Sequence, residues 1–493
     1  MMLFSQAAQA IHARRIGADE CFAAVSTDTR TIVRGDLFIA LKGENFDGAE
    51  FVADALKNGA MGAMVSVQGY EQIRSILNPQ SSILVVDDTR LALGQLAAHW
   101  RGQYDIPLVA ITGSNGKTTV KEMLAAILRG YAESEESVLA TRGNFNNDIG
   151  MPLTLLKLRA NHRYAVIEMG MNHPNEIDYL TRIARPEVAL VNNATGAHLQ
   201  GLGSVEGVAR AKGEIFAGLA DGGTAVVNAD DIYAPLWRGL AGKHSVFDFA
   251  LKHPAAVQGK WAAGSYGGTL HAHTPAGELR VALQVPGEHN ALNALAAATA
   301  ALALKVPLTK IADALEKFGG VAGRLQRKQA LQGAMLIDDT YNANPASVHA
   351  AIEVLAHVSG KRILVLGDMG ELGENAARFH REIGIAAREL GIQQLFALGA
   401  LSEEAVREFG TGARHFANIE ALHVALDKEL DTQTTVLVKG SRFMKMERVV
   451  SHCVDTEKGE EGREKGESEV GLSPSPLSLP PSLTNPCQTK EVH

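Results

Sequence analysis

The stretch with the plainest chemistry is Ile111-Thr112-Gly113-Ser114-Asn115-Gly116-Lys117-Thr118-Thr119. It follows an apolar run at 107–111 and precedes a helical pattern from Val120 onward. A strand, a glycine loop and a helix N-terminus in that order make a phosphate cradle. Glycines let backbone N–H groups turn toward an anion, the helix dipole favours negative charge, and Lys117 adds a full positive charge. Thr112, Gly113, Ser114, Asn115, Gly116, Lys117, Thr118 and Thr119 are the candidate contacts to a nucleoside triphosphate, with Thr118 placed to offer its hydroxyl to the nucleotide's Mg²⁺. The spelling departs from the usual G-x-x-x-x-G-K-[ST], because Ile111 stands where the first glycine belongs. A glycine turn with a surface lysine is the plainer reading of G-K-T alone, and the flanking strand and helix argue against it.

Further candidates lie at the ends of later strand-like runs. Val166-Ile167-Glu168-Met169-Gly170 puts Glu168 at a strand's carboxyl end, where a carboxylate near triphosphate is a natural Mg²⁺ ligand; alone, it reads equally as a loop or capping glutamate. His198, in Asn192-Asn193-Ala194-Thr195-Gly196-Ala197-His198-Leu199, follows the next strand in the same way. Lys212 falls in a helical pattern at 205–219 and, by itself, reads as a solvated charge. Asn290 and Asn293 sit at a helix start, where Asn290 either caps the helix or joins Asn293 in reading a base edge. Arg324 and Asp339 are ordinary turn residues in isolation. On a separate domain they would close over a nucleotide, Arg324 on phosphate and Asp339 on a ribose hydroxyl.

These positions need an α/β framework. A chain of 493 residues is long for a single core. Residues 1–88 form a first small α/β unit, with a turn at Asp28-Thr29-Arg30, a strand within 34–43, a helix at 49–60 and a further helix, 89–101, leading onward. From 107 to 318 strands at 108–111, 164–169, 188–192 and 224–228 alternate with helices at 118–129, 175–184, 205–219 and 290–304. That pattern predicts a parallel sheet with ligands at its carboxyl edge, and 256–285 reads as antiparallel hairpins on its margin. The alternation restarts after Gly319-Gly320-Val321-Ala322-Gly323, with strands at 334–338, 362–366, 394–398 and 435–438. The expected domains are 1–88, 89–320 (the central P-loop domain) and 321–454 (a Rossmann-like α/β domain), followed by a tail at 455–493.

Composition narrows the function. Lys+Arg 47 against Asp+Glu 55 gives −8, which excludes a general binder of nucleic acid or anionic membrane. Cys21, Cys453 and Cys487 are too few and too scattered for a disulfide framework or zinc cluster. No apolar run reaches about 18 residues and no leader is evident, so a cytoplasmic protein without membrane insertion is expected. The tail is rich in Glu, Lys and Gly, then in Ser, Pro and Leu, and cannot bury a core. It is expected to be disordered and dispensable: truncation after Val454 should leave activity and thermal stability nearly unchanged, and a large loss of either would overturn this reading.

Taken together, the segments resemble the Mur ligase family, the ATP-dependent amino-acid ligases of peptidoglycan precursor synthesis, over roughly residues 20 to 450. Members share the variant loop T-G-[ST]-x-G-K-[ST], which accounts for Ile111. Gly143-Asn144-Phe145-Asn146-Asn147-Asp148-Ile149-Gly150, Asp339-Thr340-Tyr341-Asn342-Ala343-Asn344-Pro345, Leu366-Gly367-Asp368-Met369-Gly370-Glu371-Leu372-Gly373 and Lys439-Gly440-Ser441-Arg442 are similar to the branch that adds D-alanyl-D-alanine to UDP-N-acetylmuramoyl-tripeptide. The Asp-Asn-Pro-Arg motif of the preceding diaminopimelate- or lysine-adding ligase is absent. Asp28-Thr29-Arg30, Gly35-Asp36-Leu37-Phe38 and Phe46-Asp47-Gly48 look like a uridine-nucleotide domain, with Ala49 departing from the usual aspartate-glycine-histidine spelling. The resemblance implies ATP, two Mg²⁺ and a monomer. It implies Lys117 on phosphate and Thr118 on one metal, with Glu168, His198 and a carbamylated Lys212 on a second. Asn290 and Asn293 would approach adenine, Arg324 phosphate and Asp339 ribose. Folylpolyglutamate synthase shares the loop and the carbamylated lysine but would not need the uridine domain. A nucleotide-gated binding protein without ligase activity is the alternative from another class.

Overall fold

The computed structural model describes residues 1–454 except 44, 45, 79, 197, 198 and 265. The disorder expected of 455–493 therefore lies outside the described residues. Among the described residues the strands form sheets of two, five, nine and six strands.

The five-stranded sheet carries the first unit. Ala24–Ser26, Asp36–Ile39, Gly62–Ser66 and Ser82–Val86 run parallel, and Arg14–Ile16 closes one edge antiparallel. The Thr89–Arg101 helix leaves it, with the Asp88 side chain accepting from the amides of Arg90 and Leu91. That helix joins the first unit to the central one by packing rather than as a free linker. Leu93, Leu96 and Trp100 belong to a continuous apolar cluster that includes Phe4 and Leu37 on one side and Leu108 and Ile167 on the other. The Trp100 indole donates to Leu158 O (3.2 Å), and the buried Arg101 guanidinium meets Ala184 O (3.1 Å) and Glu187 (3.2 Å).

In the nine-stranded sheet Leu108–Thr112 lies between Tyr164–Glu168 and Val188–Val191, all three parallel. Leu108 and Ala110 enter one apolar cluster and Val109 and Ile111 the other, as the two-residue period of a strand buried on both faces requires. Register sets Glu168 opposite Ile111 and Val191 opposite Thr112, so three strands release their next residues at one edge. Behind that edge the Glu288–Ala303 helix packs against the Lys117–Ala132 helix through buried alanines. The hairpins expected at 256–285 are present as Val257–Ala263, Gly268–Thr274 and Gly277–Leu283, antiparallel and marginal.

The six-stranded sheet has the order Gln326–Gln329, Met335–Asp339, Thr434–Lys439, Lys361–Gly367, Gln394–Leu398, Ala413–Phe416, parallel except for the first strand. Asn344 and Ser347 form a capping box for the Pro345–Ala356 helix. One helix is shorter than expected: Val205–Gly213 gives way to a 3-10 turn, Glu214–Gly218. The tighter turn brings Gly218 against the Thr181 backbone, where a Cβ would collide. No helix of the described residues is long and apolar enough to cross a membrane.

Candidate nucleotide site

The glycine loop is stiffened from the neighbouring strand's end. Ser114 N donates to Asn193 O (3.0 Å), Asn115 N to Asn193 Oδ1 (2.9 Å) and Thr195 N to Ser114 Oγ (2.9 Å), while Asn192 Nδ2 donates to Asn115 O (3.0 Å). Gly116, the N-cap of the following helix, has φ +81, and a Cβ there would strike the side chains of Asn192 and Asn293. Only glycine suits both the torsion and the space. Lys117 Nζ donates to Gly113 O (2.6 Å). Burial lowers its affinity for the proton, Glu168 opposes that, and Arg324 adds to it.

Glu168, 2% exposed, ends its strand with both carboxylate oxygens engaged. Thr118 Oγ1 donates to Oε2 (2.9 Å) and Asn146 Nδ2 to Oε1 (2.8 Å). Its own amide donates to Thr141 Oγ1 (2.9 Å), and Thr141 O accepts from the buried Lys121 Nζ (2.6 Å). Asn146, Thr141 and Lys121 were not among the sequence candidates. Asn146 was named only as a letter of the 143–150 motif, with no role attached.

Lys212 is 1% exposed, and its hydrogen-bond contact among the described residues is the Met171 thioether (3.7 Å). Burial, with the charge of Lys117 adding, holds its pKa far below the ordinary lysine range. It is therefore a buried amine rather than a solvated charge. Met171 follows Glu168 by three residues, so Lys212 reaches the turn leaving the Glu168 strand. His198 lies outside the described residues.

The six-stranded domain touches the loop directly. Arg324 Nη2 donates to Thr118 Oγ1 (2.8 Å), with its guanidinium 4.1 Å over the Tyr341 ring, and Asn344 Nδ2 donates to Asn115 Oδ1 (2.8 Å). Asp339 stands further back: Oδ1 accepts from Leu325 N (3.1 Å) and Oδ2 from Lys439 Nζ (2.6 Å). Burial raises the Asp339 pKa, and Lys439 and Arg324 oppose that rise. Asn344 and Lys439 were named only as letters of motifs.

The capping reading of Asn290 is corrected. The helix begins at Glu288 with Gly287 as N-cap, and Asn290 Nδ2 donates backward to Pro286 O (2.8 Å). Asn293 Nδ2 donates to Asn290 Oδ1 (3.2 Å), and Asn293 Oδ1 accepts from Asn192 Nδ2 (2.9 Å). The two amides thus form a buried chain beneath Gly116.

Thr118 and Glu168 present hard oxygen donors 2.9 Å apart at a helix N-terminus, and a guanidinium already stands on one of them. That donor set suits a divalent cation of the Mg²⁺ kind beside a triphosphate. The buried amine of Lys212, whose proton affinity burial lowers, suits capture of CO₂, since only an unprotonated amine is nucleophilic.

Three family descriptions match this chain: Mur ligase family, catalytic domain, at 22–101; Mur ligase middle domain at 111–301; and Mur ligase, glutamate ligase domain, at 323–442. The UDP-N-acetylmuramoyl-tripeptide–D-alanyl-D-alanine ligase of Escherichia coli (strain K12) is 44% identical over 453 residues, 90% of this chain and 97% of that protein. A crystal structure of MurF from Acinetobacter baumannii aligns with a TM-score of 0.84 at 38% identity, covering 91% of this chain and 98% of that one. The MurF ligase of Thermotoga maritima in complex with ADP aligns at 0.75 and 27% identity, covering 89% and 98%.

Proposed function

This chain belongs to the Mur ligase family, and from that premise we infer that it is an ATP-dependent amide ligase of peptidoglycan precursor synthesis. It joins D-alanyl-D-alanine to UDP-N-acetylmuramoyl-tripeptide. The observation that carries the reading is the meeting of two domains on one loop: Lys117, Thr118 and Glu168 from the central domain, Arg324 and Asn344 from the next. The relatives' shared activity supports the same substrates, and the ADP complex of the Thermotoga maritima protein supports the nucleotide.

In this reaction the tripeptide's terminal carboxylate attacks the γ-phosphorus of ATP, ADP leaves, and an acyl phosphate forms. The amine of D-alanyl-D-alanine then attacks the acyl carbon through a tetrahedral intermediate, losing a proton, and phosphate departs as the amide forms. Carboxylate and triphosphate repel, so the chain's task is to gather positive charge between them. Lys117 and the N-terminus of its helix hold the phosphates, and Arg324 adds a guanidinium from the other domain. Arg324 and Asn344 reach the loop from across the domain boundary, so the second domain closes over a bound nucleotide and excludes water, which would otherwise hydrolyse the acyl phosphate. Thr118 would hold one Mg²⁺, and Glu168, His198 and carbamylated Lys212 a second; bound there, the ions neutralise charge that develops on the transferring phosphoryl group. Asn290 and Asn293 are assigned to the adenine side and Asp339 to the ribose. The unit at 1–88 takes the uridine nucleotide, where Arg30 and Asp28 already pair (2.7 Å). We place the reaction in the cytoplasm and assign the working form as a monomer.

The test is phosphate release with the UDP-linked tripeptide, D-alanyl-D-alanine and Mg-ATP. Turnover requiring both peptide substrates is expected. Silence here but turnover with folate and glutamate would move the chain to the folylpolyglutamate reaction, and nucleotide binding without release in either mixture would leave a binding protein.

A further inference from the structure

Lys439 has no part in the reaction as described, yet it is one of the few lysines the fold buries, 2% exposed at the end of the Thr434–Lys439 strand. Parallel register sets it opposite Asp339, the last residue of Met335–Asp339. Residues opposite each other on neighbouring strands share a face, so the pairing follows from the sheet itself. The ammonium donates to Asp339 Oδ2 (2.6 Å) and to Asn342 O (2.9 Å). Two residues on, Ser441 Oγ donates to Ala343 O (3.1 Å). Lys439 and Ser441 therefore hold the turn at 339–344 at Asp339, Asn342 and Ala343, and that turn ends in Asn344, whose amide reaches Asn115 of the phosphate loop (2.8 Å).

We propose that Lys439 is a positioning residue for the nucleotide, orienting the Asp339 carboxylate and setting the 339–344 turn so that it docks on the glycine loop. This rests on the reading of Asp339 as a ribose partner. A carboxylate has about four lone-pair sites. Lys439 and the Leu325 amide take one on each oxygen, and the remaining sites then point in a direction the protein has chosen. Burial alone favours the protonated carboxyl, in which one of those acceptor sites becomes a donor; the ammonium opposes that. The same charge reaches the central domain, where burial and Lys439 together push the His289 pKa down to about 4. That imidazole is neutral at physiological pH and adds no competing cation at the domain boundary.

The experiment compares Lys439→Met, Asp339→Asn and the double variant with wild type. Each is checked for folding by its thermal midpoint and then assayed for the KM of ATP, the KM of the tripeptide and, by calorimetry, ADP affinity. Lys439→Met is expected to raise the KM of ATP and weaken ADP by about tenfold or more, as losing one partner of a buried pair does. The tripeptide KM should stay within about twofold, and Asp339→Asn should add little in the Lys439→Met background. A fall in kcat with unchanged nucleotide affinity, or losses that simply add, would overturn the proposal. If Lys439→Met does not fold, Lys439→Gln, which keeps a donor for Asn342 O, carries the same comparison. Absence of turnover in wild type would defeat the ligase reading, whereas equal ADP affinity in wild type and variant defeats this one.

Discussion

Lys212→Ala is expected to lower phosphate release by about a hundredfold to a thousandfold, the scale of losing one preorganised electrostatic group at a reacting centre. Short carboxylates added to the assay should restore part of it. An ammonium buried to 1% exposure against a thioether meets no anion among the described residues to offset its desolvation, so burial favours the unprotonated amine. A neutral amine adds CO₂ and releases a proton, and the product is an anion. Lys117 would repel a protonated Lys212 and attract a carbamate, so the same neighbour that depresses the amine's pKa would stabilise the modified side chain. Alanine also leaves a cavity, which by itself lowers stability; rescue by acetate or formate separates the lost charge from the lost packing. An alanine variant with full activity would remove the carbamate from the mechanism.

Glu168→Gln should have the second largest effect, a fall in kcat of about a hundredfold or more, with the Mg²⁺ concentration for half activity rising in step. The substitution keeps shape and volume, and the fold should survive. It removes the charge and leaves one acceptor where Thr118 and Asn146 both now donate. One of those donors must turn away or face the new NH₂ group, so a local cost of about 1–3 kcal/mol is expected besides the loss of charge. Assay across a Mg²⁺ series reads the two apart, since a structural defect alone would leave the metal dependence where it was. An unchanged Mg²⁺ midpoint would count against Glu168 as a ligand.

Much of the framework was legible because it obeys simple periods. The Thr89–Arg101 helix and the strands at 108–112, 164–168, 188–191 and 224–228 are apolar runs bounded by turn residues, and the alternation of strand with helix implied a parallel sheet. Three of the strands not foreseen lacked that signal. Val138–Ala140 has three residues, Gln326–Gln329 is wholly polar, and Ala413–Phe416 is a short edge strand with two exposed positions. The loop's chemistry was legible because its residues are contiguous. The clasps on it were not: Arg324 meets Thr118 across 206 positions and Asn344 meets Asn115 across 229, and no local pattern encodes such pairings. Lys212 misled for a related reason. Its helix looks amphipathic and charged from sequence alone, and burial of the amine is decided by the Met171 turn, which belongs to another strand.

The contact between Arg324 and Thr118 has a consequence for measured affinity. The guanidinium occupies the hydroxyl that a metal–nucleotide complex would use, as Asn344 occupies Asn115. Binding is then an exchange of partners, and the free energy of undoing these clasps is subtracted from the intrinsic attraction for ATP. If the clasped form dominates the population, the apparent Kd is weaker than the intrinsic one by the reciprocal of the open fraction. In that case the groups proposed to complete the site would also set a threshold concentration of nucleotide below which the two domains hold each other instead.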